Sequence, residues 1–364
     1  MVLREDSFRV QQVRDAGRPG TGEDFEMRWE SMRGVGHHTP ADQFFVRSHS
    51  GVPEIDPRTW TMRLHGDGLR GGPVEFDLED LRALPSYSAT AFIECAGNGR
   101  SLYTVQQNQR VEGTPWGLGA IGVAHWTGVP LSVLLERAGI RDDAVDLLPR
   151  GLDRPFVRDG VDYGRVRRPL PVSKAMKDVL VAYEMNGHPL RPEHGFPARL
   201  VVPDWVGVAS IKWLGDIEVS TGPLHSPWDT DFYRLFGLGH PPEGSAPLTT
   251  VPIKSAFEIS PQAKIAKGRE YLLTGRSWSG NGAIRAVEVS TDGGGEWRPA
   301  RLVGPRQAHT WAQWEFPWSP ERRGPAQLMA RATDELGVTQ SLGAPYNSKG
   351  YLFGAVVRHP VTVV

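Results

Sequence analysis

Glu94-Cys95-Ala96-Gly97-Asn98-Gly99-Arg100 carries the only cysteine in a chain of 364 residues. Just before it, Ser88-Ala89-Thr90-Ala91-Phe92-Ile93 is short, apolar and β-rich, which predicts a buried strand. Just after it, two glycines flank Asn98; they permit positive φ and let backbone come close to a ligand. A thiol therefore stands at the mouth of a strand, in a loop whose amides can turn inward, with Arg100 five residues on. As a thiolate it could ligate a soft metal or attack an electrophile. A lone cysteine also packs well as a small buried hydrophobe. The loop alone does not choose between these roles; residues elsewhere that suit the same site do.

The chain exceeds the roughly 250–300 residues at which single cores stop growing, so two domains are expected. A net charge of -1 provides no global basic field and argues against nucleic acid or a membrane surface as partner. One cysteine excludes an internal disulfide. No run approaches the ~18 apolar residues of a membrane span. The start, Met1-Val2-Leu3-Arg4-Glu5-Asp6-Ser7-Phe8, has neither a twin arginine nor an apolar signal core. Read as a full-length chain it belongs in the cytoplasm; an exported or periplasmic form whose signal has been removed reads the same way. Twelve tryptophans suit a rigid site wall or a large interface.

Residues 1–40 are polar, Gly-rich and irregular, and are expected to wrap the surface; His37-His38 there reads as a pair of solvated loop histidines. Phe44-Phe45-Val46-Arg47-Ser48-His49 predicts a strand that points Arg47 and His49 to one face, either toward an anion or, at a sheet edge, toward water. Thr59–Gly66 alternates as a strand does, and Asp77-Leu78-Glu79-Asp80-Leu81 starts a short helix with Asp77 as its cap. Trp126 to Ile140 predicts the longest helix, with Pro130 in its first turn and an apolar face of Leu131, Leu134, Leu135 and Ala138. Residues 146–175 read as loop, and Arg165, Arg167 and Arg168 as an anion-binding rim or a solvated surface.

Val179–Glu184 predicts a strand ending in the tight turn Asn186-Gly187. Glu193-His194-Gly195-Phe196-Pro197-Ala198-Arg199 sets a histidine and an arginine about a rigid turn, and Ser210-Ile211-Lys212-Trp213-Leu214 opens a further strand offering a lysine. From about residue 246 short alternating strands recur between turn signals. Ile284–Ser290 leads into Asp292-Gly293-Gly294-Gly295 as one arm of a hairpin, and Gln327–Asp334 turns at Gly337, the pattern of an all-β sandwich. The boundary is placed in Pro241-Pro242-Glu243-Gly244-Ser245, giving an irregular segment 1–40, a first domain 41–245 and a β-sandwich 246–364.

Five stretches in this order, Phe45-Val46-Arg47-Ser48-His49, Cys95-Ala96-Gly97-Asn98-Gly99-Arg100, Ala182-Tyr183-Glu184-Met185-Asn186-Gly187, His194-Gly195-Phe196-Pro197-Ala198-Arg199 and Ile211-Lys212-Trp213-Leu214-Gly215, resemble the sulfite oxidase family of molybdenum enzymes. The similarity runs from about residue 40 to the C-terminus. It implies an α+β chain: a mixed α/β molybdopterin-binding domain followed by an immunoglobulin-like dimerisation domain, and hence a homodimer. It implies molybdenum held by one pterin dithiolene, with Cys95 as sole protein ligand; a third soft, charged sulfur suits that metal. The pterin phosphate needs cations and amides. By resemblance these come from Phe45, Val46, Arg47, Ser48 and His49, from Asp153, from His194 and Arg199, and from Ser210, Ile211 and Lys212.

The implied reaction oxidises sulfite to sulfate by oxo transfer, in a pocket where Arg47 and Arg100 hold the dianion and Tyr233 lies beside the reacting oxygen; guanidinium forks suit that task. In animal members a third arginine enters from a Trp-rich stretch of the β domain. Here that stretch is Trp311-Ala312-Gln313-Trp314, with Ala312 at the matching place and His309 as a stand-in. A pocket short of one cation leaves a sulfoxide or another oxyanion as the alternative substrate. Nothing in the chain resembles the haem-carrying domain of animal members, so electrons are expected to pass to a separate acceptor such as a c-type cytochrome or oxygen.

Overall fold

The computed structural model describes residues 10–13 and 24–364. Within residues 41–245 two sheets are built around two apolar clusters, the larger about Leu64, Leu134 and Leu214 and the smaller about Phe44, Ile93 and Trp126. The first runs Leu170–Pro171, Asp146–Gly151, Leu214–Ser220, Thr61–His65, Val74–Asp77, parallel only between Leu214–Ser220 and Thr61–His65. The second runs His188–Pro189, Leu180–Met185, Ile121–Pro130, Tyr87–Glu94, with Arg199–Val201 also paired to Leu180–Met185. Helices Leu78–Ala83, Leu131–Arg137 and Val172–Asp178 add Leu78, Leu81, Leu131, Leu134, Leu135 and Ala175 to the larger cluster. From residue 254 a four-stranded and a five-stranded sheet, antiparallel except where Lys264–Ile265 joins His359–Val363, enclose Val287, Trp314, Phe316, Leu328 and Ala330. This is the all-β sandwich read from the alternation, in the immunoglobulin-like form that the resemblance implies. Among the described residues no helix is long and apolar enough to cross a membrane.

Four local expectations are corrected. The helix read over 126–140 is a strand, Ile121–Pro130, and then a helix of seven residues, Leu131–Arg137. Trp126 and Val129 happen to continue the helical spacing, but both are wholly buried between paired strands, where sheet pairing overrides local period. Phe44–His49 makes one isolated bridge, Val46 to Phe25, and bends at both ends, so it is not a strand. In the region read as loop, Asp146–Gly151 is a central strand and Val172–Asp178 a helix. The strand expected from Ser210 starts only at Leu214.

The described part of the first forty residues also does more than wrap the surface. Val10–Gln12 pairs with Phe25–Met27, and Trp29 and Met32 are buried. His37 is half-buried and neither ring nitrogen has a hydrogen-bond partner; burial holds its pKa down at about 4.

Candidate active site

The strand Tyr87–Glu94 is paired over its whole length with Ile121–Pro130, so the residue that follows it is fixed in place. The Cys95 amide donates to the Ala120 carbonyl at 2.9 Å, and the Cys95 carbonyl accepts from the Asn98 amide at 2.9 Å. Gly99 takes a φ of 90° and caps the helix Arg100–Gln107, which the sequence reading missed. Gly97 is needed for closeness: a Cβ there would lie 2.6 Å from the Arg100 guanidinium. That guanidinium therefore folds back over the cysteine loop, donating to the Lys349 and Thr114 carbonyls, each at 2.8 Å.

Cys95 stands where two clefts meet. The first has an empty volume of about 730 Å³. Phe45, Arg47, Ser48 and His49 line one side of it, and Asp153, His194 and Arg199 with Ser210, Ile211 and Lys212 the rest. Val46 is the exception among the expected residues: its side chain packs with Val10 and Phe25, away from the cleft. Tyr233 and Cys95 close the inner end. The second cleft, of about 550 Å³, shares Arg47, His49, Cys95 and Tyr233 with the first and adds Arg100.

The first cleft has an excess of buried positive charge. Arg199 donates to the carbonyls of His194, Leu200 and Ser210, and Lys212 donates to Ser48 Oγ at 2.9 Å and the Glu193 carbonyl at 2.8 Å. All these acceptors are neutral oxygens. Burial pushes Lys212 down to about 7, Arg199 down to about 9 and His194 down to about 3. Asp153 shows the converse: burial lifts it to about 6, and its Oδ1 has no hydrogen-bond partner. A ligand with a phosphate at one end and N–H donors at another would answer both needs. Among the described residues no group of three or more His, Cys, Asp and Glu is placed to hold a metal ion. The protein thus offers a single thiolate, which fits a metal whose other sulfur donors belong to a pterin.

Lys212 gives a test that needs no turnover. Its folded pKa, about 7, lies below its ordinary 10.5, so above pH 7 the unfolded chain binds the extra proton. The cofactor-free protein is expected to gain stability as pH rises from ~7 to ~8.5, before cysteine and tyrosine titration intervene. A phosphate bound at Lys212 raises that pKa again and flattens the slope. Urea unfolding across this window, with and without cofactor, checks it; parallel profiles would remove Lys212 from the phosphate site.

In the second cleft the Tyr233 hydroxyl lies 3.2 Å from His49 Nε2, and its ring stacks on Tyr351 at 5.3 Å. Burial, then the Tyr351 hydroxyl, push Tyr233 well above the ordinary phenol range, so it stays a neutral donor. Its φ of 56° is unusual for a tyrosine, the kind of backbone strain that collects at working sites. Burial opposes the charge on Arg47, but Asp24, Tyr233 and Cys95 outweigh it and hold its pKa up; Asp24 Oδ1 lies 3.3 Å from its Nη1. Burial raises the Cys95 thiol, while Arg100 and Arg47 pull against that.

Three corrections concern charge. Ala312 is buried in the sandwich core, and His309 pairs with Asp204 at 2.7 Å, so neither lines the pocket. The third cation is Lys349, with Arg158 as a fourth, and Tyr351 comes in on the same stretch as Lys349. The supposed rim divides: Arg165 is exposed, but Arg168 is buried, donates to the Trp228 and Leu248 carbonyls, and lies 5.9 Å from the Tyr233 ring centre. Burial pushes it down to about 10. It braces Tyr233 from below. The sequence reading also missed Asp24, Phe156 and Phe232. The only local signal for Lys349 was Asn347-Ser348-Lys349-Gly350, a turn carrying a cation.

Residues 49–228 match the model of the oxidoreductase molybdopterin binding domain, and residues 247–362 that of the Mo-co oxidoreductase dimerisation domain. The chain is 36% identical to mitochondrial sulfite oxidase of Mus musculus, over 90% of this chain and 62% of that one. It is 34% identical to sulfite oxidase of Gallus gallus, over 86% of this chain and 71% of that one. The chain thus spans 62% of the length of the mouse relative. The crystal structure of the sulfane dehydrogenase SoxCD from Paracoccus pantotrophus is similar at a TM-score of 0.84 and 28% identity, covering 100% of this chain and 92% of that one.

Proposed function

This chain belongs to the sulfite oxidase family of molybdopterin oxidoreductases, and on that premise we propose that it oxidises sulfite to sulfate. The observation that carries the proposal is that Arg47, Cys95 and Tyr233 stand at the junction of the two clefts, with Arg100 lining the second. When bound, the molybdenum-pterin supplies oxygen-atom transfer and a store for two electrons.

The chain's own residues do the rest. Cys95 is the protein's donor to the metal. Lys212, Arg199 and Ser210 would hold the phosphate end of the pterin, and Asp153 Oδ1, which has no partner within the protein, would take an N–H donor from it. Arg47, Arg100 and Lys349 draw the dianion in and orient it. Tyr233, kept neutral and steadied by His49, donates a hydrogen bond at the reacting end. Phe156, Phe232, Trp116 and Tyr351 wall the second cleft and limit water around the anion, which strengthens each of these contacts.

A sulfoxide or other oxyanion was the alternative because Ala312 left the pocket one cation short. Lys349 brings a further cation to that cleft, which favours sulfite over the alternative. Electrons leave to a separate acceptor, a c-type cytochrome or oxygen. The sandwich, with Leu336, Val338 and Leu342 exposed on neighbouring residues of one loop, is the seat of a two-fold homodimer. The test is elemental analysis for molybdenum and sulfite-dependent reduction of ferricyanide on one preparation. One metal per chain with dye reduction is expected; a loaded protein that leaves sulfite untouched rejects the substrate.

A further inference from the structure

Four cations face the second cleft, and their charges are answered differently. Arg47 is paired with Asp24. Arg100 is held by two carbonyls. Arg158 reaches out to the exposed Asp159 at 3.3 Å. Among the described residues, Lys349 is the one hydrogen-bonded to a carboxylate that itself lines the cleft: its Nζ lies 2.8 Å from Glu112 Oε2, to which Arg158 adds a weaker attraction. The two residues sit on segments distant in sequence, clipped together by the Glu112 amide donating to the Ser348 carbonyl at 2.9 Å. Both segments also hold Arg100, through the Thr114 and Lys349 carbonyls. An acidic side chain is therefore tied into a pocket otherwise built for an anion. The Glu112 side chain is 60% exposed and that of Lys349 26%, so the pair faces water and is weak enough for a dianion to displace.

We propose that Glu112 is a specificity-determining counter-ion that competes with the oxyanion for Lys349. An entering dianion draws the ammonium off Glu112, and the carboxylate reclaims it as the product leaves. The pair keeps the hold on sulfate loose enough for release and answers the Lys349 charge when the pocket is empty. This rests on the reading of the second cleft as the oxyanion pocket.

The probe is inorganic sulfate, titrated calorimetrically into the cofactor-loaded protein, alongside its inhibition of sulfite-dependent dye reduction. Glu112→Gln keeps the shape and removes the charge. It is expected to tighten sulfate about three- to fivefold and to lower KM for sulfite, with the change in KM rather than kcat. Lys349→Met is expected to weaken sulfate by at least as much, and Lys349→Arg to restore it. In the Lys349→Met background the gain from Glu112→Gln should vanish. Unchanged sulfate binding in Glu112→Gln overturns the proposal. So does a gain that survives without Lys349, since Glu112 would then act by direct repulsion. If the parent binds sulfate but leaves sulfite untouched, the proposed reaction falls while the competition for Lys349 is still measured.

Discussion

Cys95→Ser is expected to abolish sulfite-dependent turnover and to leave unfolding free energy within about 1 kcal/mol of the parent. The two halves of that expectation come from different parts of the residue. Its backbone is what the fold uses: the amide bonds Ala120 and the carbonyl bonds Asn98, and serine keeps both. Its side chain is half-buried at the junction of the clefts, facing Arg47 and Arg100, where one oxygen for one sulfur is a small change in volume. Chemically the exchange is large. A thiolate is soft and forms near neutral pH once a metal competes for its proton; a serine hydroxyl is hard and stays protonated. Since no cluster of other ligating side chains is available among the described residues, nothing can take over. Molybdenum content, pterin fluorescence and thermal unfolding of the variant measure the two halves separately. Substantial turnover in this variant would mean that the metal is held by something else.

What could be read from the sequence was chemistry packed next to apolar pattern. Cys95 and Arg100 share one loop, His194 and Arg199 flank one turn, and Lys212 follows a short apolar run; these are residue types suited to an anion or a metal, set at turns and strand ends. Phe45, Ser48, Asp153, Ser210 and Tyr233 came only from resemblance, because nothing about a serine or an aspartate in a loop says that it faces a ligand. Lys349 and Tyr351 were missed for a different reason. They reach the cleft from the far end of the chain, and their place depends on how the sandwich docks, a long-range contact with no local period. Arg168 was misread because a run of arginines looks solvated until the structure gives two carbonyls and an aromatic ring to bury one of them. The helix expected from Trp126 failed where a wholly buried strand and a helix have the same apolar spacing.

The same docking sets the largest effect on stability. Lys254→Met is expected to cost about 3–5 kcal/mol, the usual result of stripping one partner from a buried ion pair. Lys254 opens the first strand of the sandwich and Glu94 closes the strand before the cysteine loop; their side chains are 2% and 0% exposed. The Lys254 ammonium donates to Glu94 Oε1 at 2.5 Å and to the Asn98 carbonyl at 2.9 Å. Trp278, also from the sandwich, donates its Nε1 to Glu94 Oε2 at 2.8 Å, and Asn98 Nδ2 bonds Glu94 Oε1 at 2.8 Å. Both oxygens of a buried carboxylate one residue from Cys95 are thus satisfied, with two of the three donors coming from the sandwich. Removing the ammonium leaves that charge unpaired, so the cost falls on the cysteine loop as well as on global stability. Calorimetry of Lys254→Met should show a lower transition, and the loaded variant should lose molybdenum faster than the parent on dilution. Adding Glu94→Gln should recover part of the loss, because no buried charge is then left over. If Lys254→Met unfolds like the parent, the pair does not couple the sandwich to the loop, and the geometry of Cys95 is set within the catalytic half alone.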